Sequence, residues 1–247
     1  MFTLYKMDGT RLRLPGGVKA LDVEIPPIKK RRAVEEVPGV PGVIDYGHEP
    51  GQRDPLTLSF FFRADSPRHF RGLRSEMYSL LSEPFYLIEE YAPGVQYLLL
   101  VSDPAPLERF ENSRTAGVYS VQAEMYRLPF GESIEEEQAV GLTVQNRGDY
   151  DILPFHQDLR FVITEVAGST DFLQIKNKTN GSIFRVNEGI GSGTRIEIDG
   201  PEVKINGAQA LRRTDRTFLY LSRGKNELEL TGATSARLVT HYRNYYD

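Results

Sequence analysis

Apolar and polar residues alternate along most of this chain with a period of two, and turn-forming residues cut the alternation every 8 to 12 positions. Such a segment has one face to bury and one to solvate, which is what strands of β-sandwiches and barrels require. LTLSFFFRA (56–64), FYLIEEY (85–91), QYLLLVS (96–102) and GVYSVQAEMYRL (117–128) read as strands, with Pro93-Gly94 bending the chain between the second and third. From Pro154 onward the pattern continues through DLRFVITEVA, DFLQIKN, SIFRVNE, TRIEIDG, EVKING, TFLYLSRGKNELELTG and ARLVTHYRN. NKTNG, DGPE and RGKN supply Gly or Asn at the turns between them.

One stretch departs from this period. SPRHFRGLRSEMYSLLSEP opens with Ser66 as an N-cap and Pro67 at the first helical position, and spaces Phe70, Leu73, Met77, Leu80 and Leu81 along one face. The spacing predicts a single amphipathic helix over about 67–82, lying across a sheet and closed by Pro84.

A change of composition follows. After RLPFGES, the segment IEEEQAVGLTVQNRGDYDILP brings an acidic run, glycines and asparagines between two strand-rich regions. Two domains are therefore expected, 1–138 and 139–247, with the strand AVGLTVQNRG assignable to either side of the boundary. The expected class is mainly β, two β-sandwich domains, the first with one α-helix.

The totals narrow function more than they define it. A net charge of -4, divided so that neither half has a substantial basic excess, argues against nucleic acid or anionic membrane as a partner. Lys29-Lys30-Arg31-Arg32 is the one basic cluster, and Glu35 and Glu36 answer it at once. The absence of cysteine removes disulfides, thiolate metal sites and thiol catalysis together. MFTLYKMDGTRLRL alternates, so it reads as a strand and hairpin and not as a signal peptide, and no run of about 18 apolar residues is present to span a bilayer.

Catalytic patterns are missing. His48, His69, His156 and His241 fall on separate elements and form no H-x-x-x-H, H-E-x-x-H or nucleophile-elbow spacing. Glu89, Glu90, Glu108, Glu111 and Glu124 lie on or near strands, where two facing acids could hydrolyse a glycoside, although strand-edge charge that blocks wrong pairing is the commoner cause. The glycines of NEGIGSGTR lack both the G-x-G-x-x-G spacing and a following helix. Phe172, Phe184, Phe218, Tyr220, Tyr242, Tyr245 and Tyr246 could stack on sugar rings, but the first four fall on the apolar phase of strands and read as core, while Tyr245 and Tyr246 are freer and could instead dock on a neighbour. No catalytic, cofactor or metal residue is assigned.

Four features together resemble the distal tail proteins of long-tailed siphophages, the hub of the baseplate. They are the N-terminal MFTLYKMDGTRLRL hairpin; the VPGVPGVIDYG turn before LTLSFFF; the SPRHFRGLRSEMYSLL helix before FYLIEE; and a C-terminal sandwich holding IEIDGPEVKING and LYLSRGKNELELTG. That family usually carries a Pro-Gly-Arg-Asp-Gly-like turn where this chain has Pro38-Gly39-Val40-Pro41-Gly42, so the Arg-Asp pair has no counterpart here. The resemblance implies a non-enzymatic, cofactor-free protein of the virion tail tip, assembled in the host cytoplasm. Its N-terminal domains would form a homo-hexameric ring between the tail tube protein and the tail-associated hub or fibre protein, and galectin-like C-terminal domains would hold receptor-binding proteins. The alternative is a carbohydrate-binding module that adsorbs the virion to cell-wall saccharide.

The residues add a location. Pro38 and Pro41 stiffen an apolar turn that cannot sit in a central strand and is too greasy for water, so it needs a partner surface. The flanking KKRRAVEE and HEPGQRD stretches would be mobile in a single protomer and could reach a neighbour in a ring. Residues 29–55 are the expected intersubunit belt, with Arg31, Arg32, Val37, Pro38, Val40, Pro41, Val43, Tyr46 and Arg53 at the interface.

Overall fold

The computed structural model describes residues 1–35, 44–111, 113–155 and 157–247. The chain divides into two compact units, Met1–Gly131 with Asp247, and Glu132–Tyr246. Strands β1 (Phe2–Lys6), β2 (Val18–Glu24), β3 (Ile28–Glu35), β4 (Ile44–Arg53), β5 (Leu56–Arg63), β6 (Phe85–Glu89), β7 (Val95–Leu100), β8 (Glu108–Arg109) and β9 (Ala116–Met125) belong to the first unit, together with α1 (Pro67–Leu80).

Its main sheet is antiparallel in the order β1-β6-β7-β9-β5-β2, with β8 on β9. Leu56, Leu58, Phe60 and Phe62 of β5 point inward while Thr57, Ser59 and Phe61 alternate with them, and the register sets Phe60 opposite Tyr119 and Leu58 opposite Val121. In-phase pairing of this kind makes one continuous apolar face, because side chains on opposed residues share a side of the sheet. Phe70, Leu73 and Met77 of α1 are buried in the same core, and Phe70 meets the ring of Phe62 edge-on at 6.3 Å. Ser66 caps the helix by accepting from His69 N at 3.1 Å, which satisfies one of the orphan first-turn amides.

The N-terminal hairpin is less regular than the sequence suggested. The return strand is reduced to a bridge between Tyr5 and Arg11, flanked by bonds from Leu12 N to Leu4 O and from Lys6 N to Thr10 O, and β1 instead pairs along its whole length with β6. Pro15, Gly16 and Gly17 follow immediately and leave no run of residues able to extend a ladder. The charged stretches expected as mobile loops depart the other way: they are β3 and β4, paired with each other as a separate two-stranded sheet.

In the second unit, β10 (Gly131–Ser133) lies at the division, and β11 (Glu137–Val140), β12 (Thr143–Asn146), β13 (Leu159–Ala167), β14 (Leu173–Asn177), β15 (Ile183–Val186), β16 (Ile196–Asp199), β17 (Glu202–Ile205), β18 (Ala208–Gln209), β19 (Gly224–Thr231), β20 (Ser235–Tyr242) and β21 (Tyr245–Tyr246) follow. Two sheets, β11-β20-β13-β16-β17-β18 and β12-β19-β14-β15, supply its buried residues, among them Phe161, Ile163, Ile175, Phe184, Ile196 and Leu238. TFLYLS does not form the expected regular strand. Leu221 makes one bridge, to Ile152, while Tyr220 N donates to Ser182 Oγ and Ser222 N to Asn226 Oδ1, so side chains take the place of a ladder.

Candidate functional site

The β3–β4 hairpin is the feature that the folding of the first unit does not itself explain. Among the described residues no third strand pairs with either of its edges. A two-stranded ribbon alone is marginally stable in water, and unpaired edges are templates for another chain. Lys29, Lys30 and Arg31 are exposed, Val34 is 48% exposed, and the Lys29 ammonium lies 2.6 Å from Asp54 at the surface. Pro50, opposite Lys30, is tolerated because an outer edge has no ladder for its missing N–H to interrupt.

Two irregularities bend the ribbon. The register shifts between Ile28 and Lys30 and again between Arg32 and Val34, and each shift sets two residues of β4 against one of β3. At the first, the chains approach so closely that a Cβ on Gly51 would come within 2.8 Å of the Lys29 carbonyl oxygen. Any side chain at this position would push the two strands apart.

The base of the hairpin is held differently from its length. Ile28, which opens β3, is buried and sits opposite Arg53, which closes β4. The Arg53 side chain is only 1% exposed. Its Nε donates to Pro129 O at 2.9 Å, Nη1 to Pro26 O at 2.5 Å and Nη2 to Asp247 Oδ1 at 3.2 Å, and the guanidinium lies 5.6 Å from the centroid of the Tyr97 ring. The same Asp247 oxygen accepts from Ile28 N at 3.0 Å. Burial raises the Tyr97 pKa above the ordinary tyrosine value, and the nearby Arg53 charge offsets part of that rise.

These positions can be set against the belt residues read from sequence. Arg31 is on the exposed ribbon, and Arg32 and Tyr46 lie in its two strands. Val37, Pro38, Val40, Pro41 and Val43 fall outside the described residues. Arg53 turns its side chain into its own protomer, where three polar acceptors and an aromatic face converge on the guanidinium. Its burial is not marked in the sequence, since a lone arginine among GQRD reads as surface.

The other candidates disperse. Glu90, Glu108, Glu111 and Glu124 are exposed, and Glu124 accepts from Ser102 Oγ at 3.2 Å. No group of three or more His, Asp and Glu side chains among the described residues converges as metal ligands would. His156 lies outside the described residues. Tyr245, expected to be free, is fully buried, and its hydroxyl accepts from Asp158 N at 2.8 Å. Tyr242 is buried as well, its one hydroxyl proton shared between Glu137 Oε2 and Gln145 O, with a pKa pushed well above the ordinary value by burial and by the Glu137 carboxylate. Phe184 is buried as expected of core, whereas Phe172, Phe218 and Tyr220 are half-buried, and the Arg185 guanidinium covers the Phe172 ring at 4.2 Å.

A family model described as the phage tail protein RIFT-related domain matches residues 12–122, and one described as the siphovirus-type tail component, C-terminal domain, matches residues 157–246. Each unit thus carries one match. No curated protein matches the sequence. Among solved structures, the Dit (gp 19.1) protein of phage SPP1, described as a paradigm of the hub adsorption apparatus in phages infecting Gram-positive bacteria, aligns over 98% of this chain and 99% of its own with a TM-score of 0.72 at 12% identity. The phage p2 baseplate in its activated conformation is also similar. Its strontium form has a TM-score of 0.44 at 9% identity over 97% of both chains, and its calcium form 0.45 at 8% over 98% and 97%. With a family match on each unit and a shared fold along its length, the chain belongs to the siphovirus-type distal tail proteins, structural components of the phage tail.

Proposed function

We propose that the first unit closes into a homo-hexameric ring, that the ring stacks between the tail tube protein and the tail-associated hub protein, and that the second unit, galectin-like in its two-sheet layout, holds receptor-binding proteins. In this reading the protein works by geometry and affinity, with no catalytic step and no cofactor. The observation that carries it is the free-standing β3–β4 ribbon. A protomer that finished folding alone would have no reason to extend eight and ten residues into a ribbon supported on neither outer edge. Seating the ribbon on the next copy stabilises it, and because ribbon and receiving surface differ, the contact is heterologous and closes as a ring when its rotation permits. Residues 29–55 are then the belt, with the exposed cations Lys29, Lys30 and Arg31 of β3 on its rim.

The ring is tested by negative-stain imaging and light scattering of the purified chain. The reading expects annular particles with an open centre and a mass several times the 28.0 kDa of one chain. A species of one-chain mass at every concentration, compact and without a lumen, overturns it.

A further inference from the structure

We propose that Arg53 is the positioning residue of the belt: by locking the root of the β3–β4 ribbon to the first unit it sets the direction in which the ribbon leaves the protomer. The inference rests on the ring reading and deepens it. Among the described residues the ribbon has no lateral strand partner, so its direction depends on what holds its root at Ile28 and Arg53. Four constraints meet there. The guanidinium bridges Pro26 O, just before β3, to Pro129 O, beyond β9, and it faces Tyr97 of β7. Asp247 Oδ1 accepts from both Arg53 Nη2 and Ile28 N, so a single carboxylate oxygen ties the two strand ends of the ribbon together. Pro26 and Pro27 add stiffness, since each fixes its own φ as the chain enters β3.

The planar fork serves its three divergent acceptors from three separate nitrogens, whereas the three donors of an ammonium radiate from one atom. A lysine ammonium keeps the charge but cannot reach all three. Loss of the fork frees the root without touching the apolar pairs that hold β5 to β9, so the ribbon should loosen while the core stays closed. A neighbour must then capture a swinging ribbon, and assembly weakens through lost preorganisation, with every residue of the ribbon's outer surface still present.

The test compares the full-length wild type with Arg53→Met and Arg53→Lys by amide hydrogen exchange and by native mass measurement. For Arg53→Met the expected result is exchange about tenfold or more faster at the amides of 29–35 and 44–52, unchanged protection in β5 and β9, and an assembled fraction about tenfold lower at equal concentration. Arg53→Lys should fall between. Unchanged exchange in the ribbon overturns the proposal, as does a loosened ribbon with undiminished assembly. Equal loss of protection in β5 and β9 would also overturn it, by making Arg53 an ordinary support of the core. A wild type that never assembles sinks the ring reading instead, and the ribbon's exchange then decides by itself whether Arg53 is the anchor.

Discussion

The side-chain amide of Asn177 donates to the side-chain oxygen of Asn226 at 2.8 Å, and neither residue is exposed to solvent. Asn226 also accepts from Ser222 N and donates to Ser222 O and Gly224 O, while Asn177 donates to Tyr220 O and accepts from Thr179 N. Two amides thereby organise the turns that the strand ladder leaves unpaired. Replacing Asn226 with Leu strands several buried partners at once and is expected to destabilise the chain by about 2–4 kcal/mol in denaturant unfolding. Protection against hydrogen exchange in β14 and β19 should fall first. The burial also closes the Asn177-Lys178-Thr179 sequon to any glycan in the folded state.

Gly17 adopts φ +97 immediately before β2, and a Cβ there would come within 2.2 Å of the Arg63 carbonyl oxygen. The obstacle is backbone of β5, held by the bond from Arg63 N to Gly17 O at 2.8 Å, so it cannot swing aside as a side chain would. Gly17→Ala is expected to lower the stability of the first unit by about 2–4 kcal/mol, combining left-handed strain with the overlap. Thermal unfolding checks it.

The Tyr119 hydroxyl is buried without a hydrogen-bond partner among the described residues, and burial, with a smaller push from Tyr78, raises its pKa to about 12. Tyr119→Phe removes an unpaired polar atom and keeps the ring packed between Phe60 and Phe62, so stability at pH 7 should stay level or rise by about 1 kcal/mol. The fold favours the neutral phenol. Its contribution is therefore whole below pH 10, where an unfolded tyrosine begins to ionise, and is lost as pH climbs toward about 12. Over that interval the phenylalanine variant should lose stability less steeply than the wild type, which pH-dependent unfolding can measure.

Arg31 and Arg32 lie on the ribbon proposed as the belt. Reversing both to Glu should lower the assembled fraction and make it depend on salt. Rim charges act over about 10 Å at 0.1 M salt and about 3 Å at 1 M. Native mass measurement across that range checks it, and a double variant that assembles like the wild type at every salt concentration counts against this placement of the belt.

The sequence by itself determined the elements with a strong period. The alternation in LTLSFFF and GVYSVQAEM became β5 and β9, and Ser66-Pro67 with Phe70, Leu73 and Met77 became α1, because capping and one-sided burial are local requirements that the order of residues states directly. Tertiary structure alone decided which edges find partners and which charges are buried. KKRRAVE carries no alternating signal, so only its pairing with β4 reveals a strand. Arg53 and Tyr245 looked like surface until acceptors and donors contributed by distant parts of the chain met around them. The free energy of a buried polar group depends on those partners, and their convergence is a property of the folded chain that no local stretch of sequence contains.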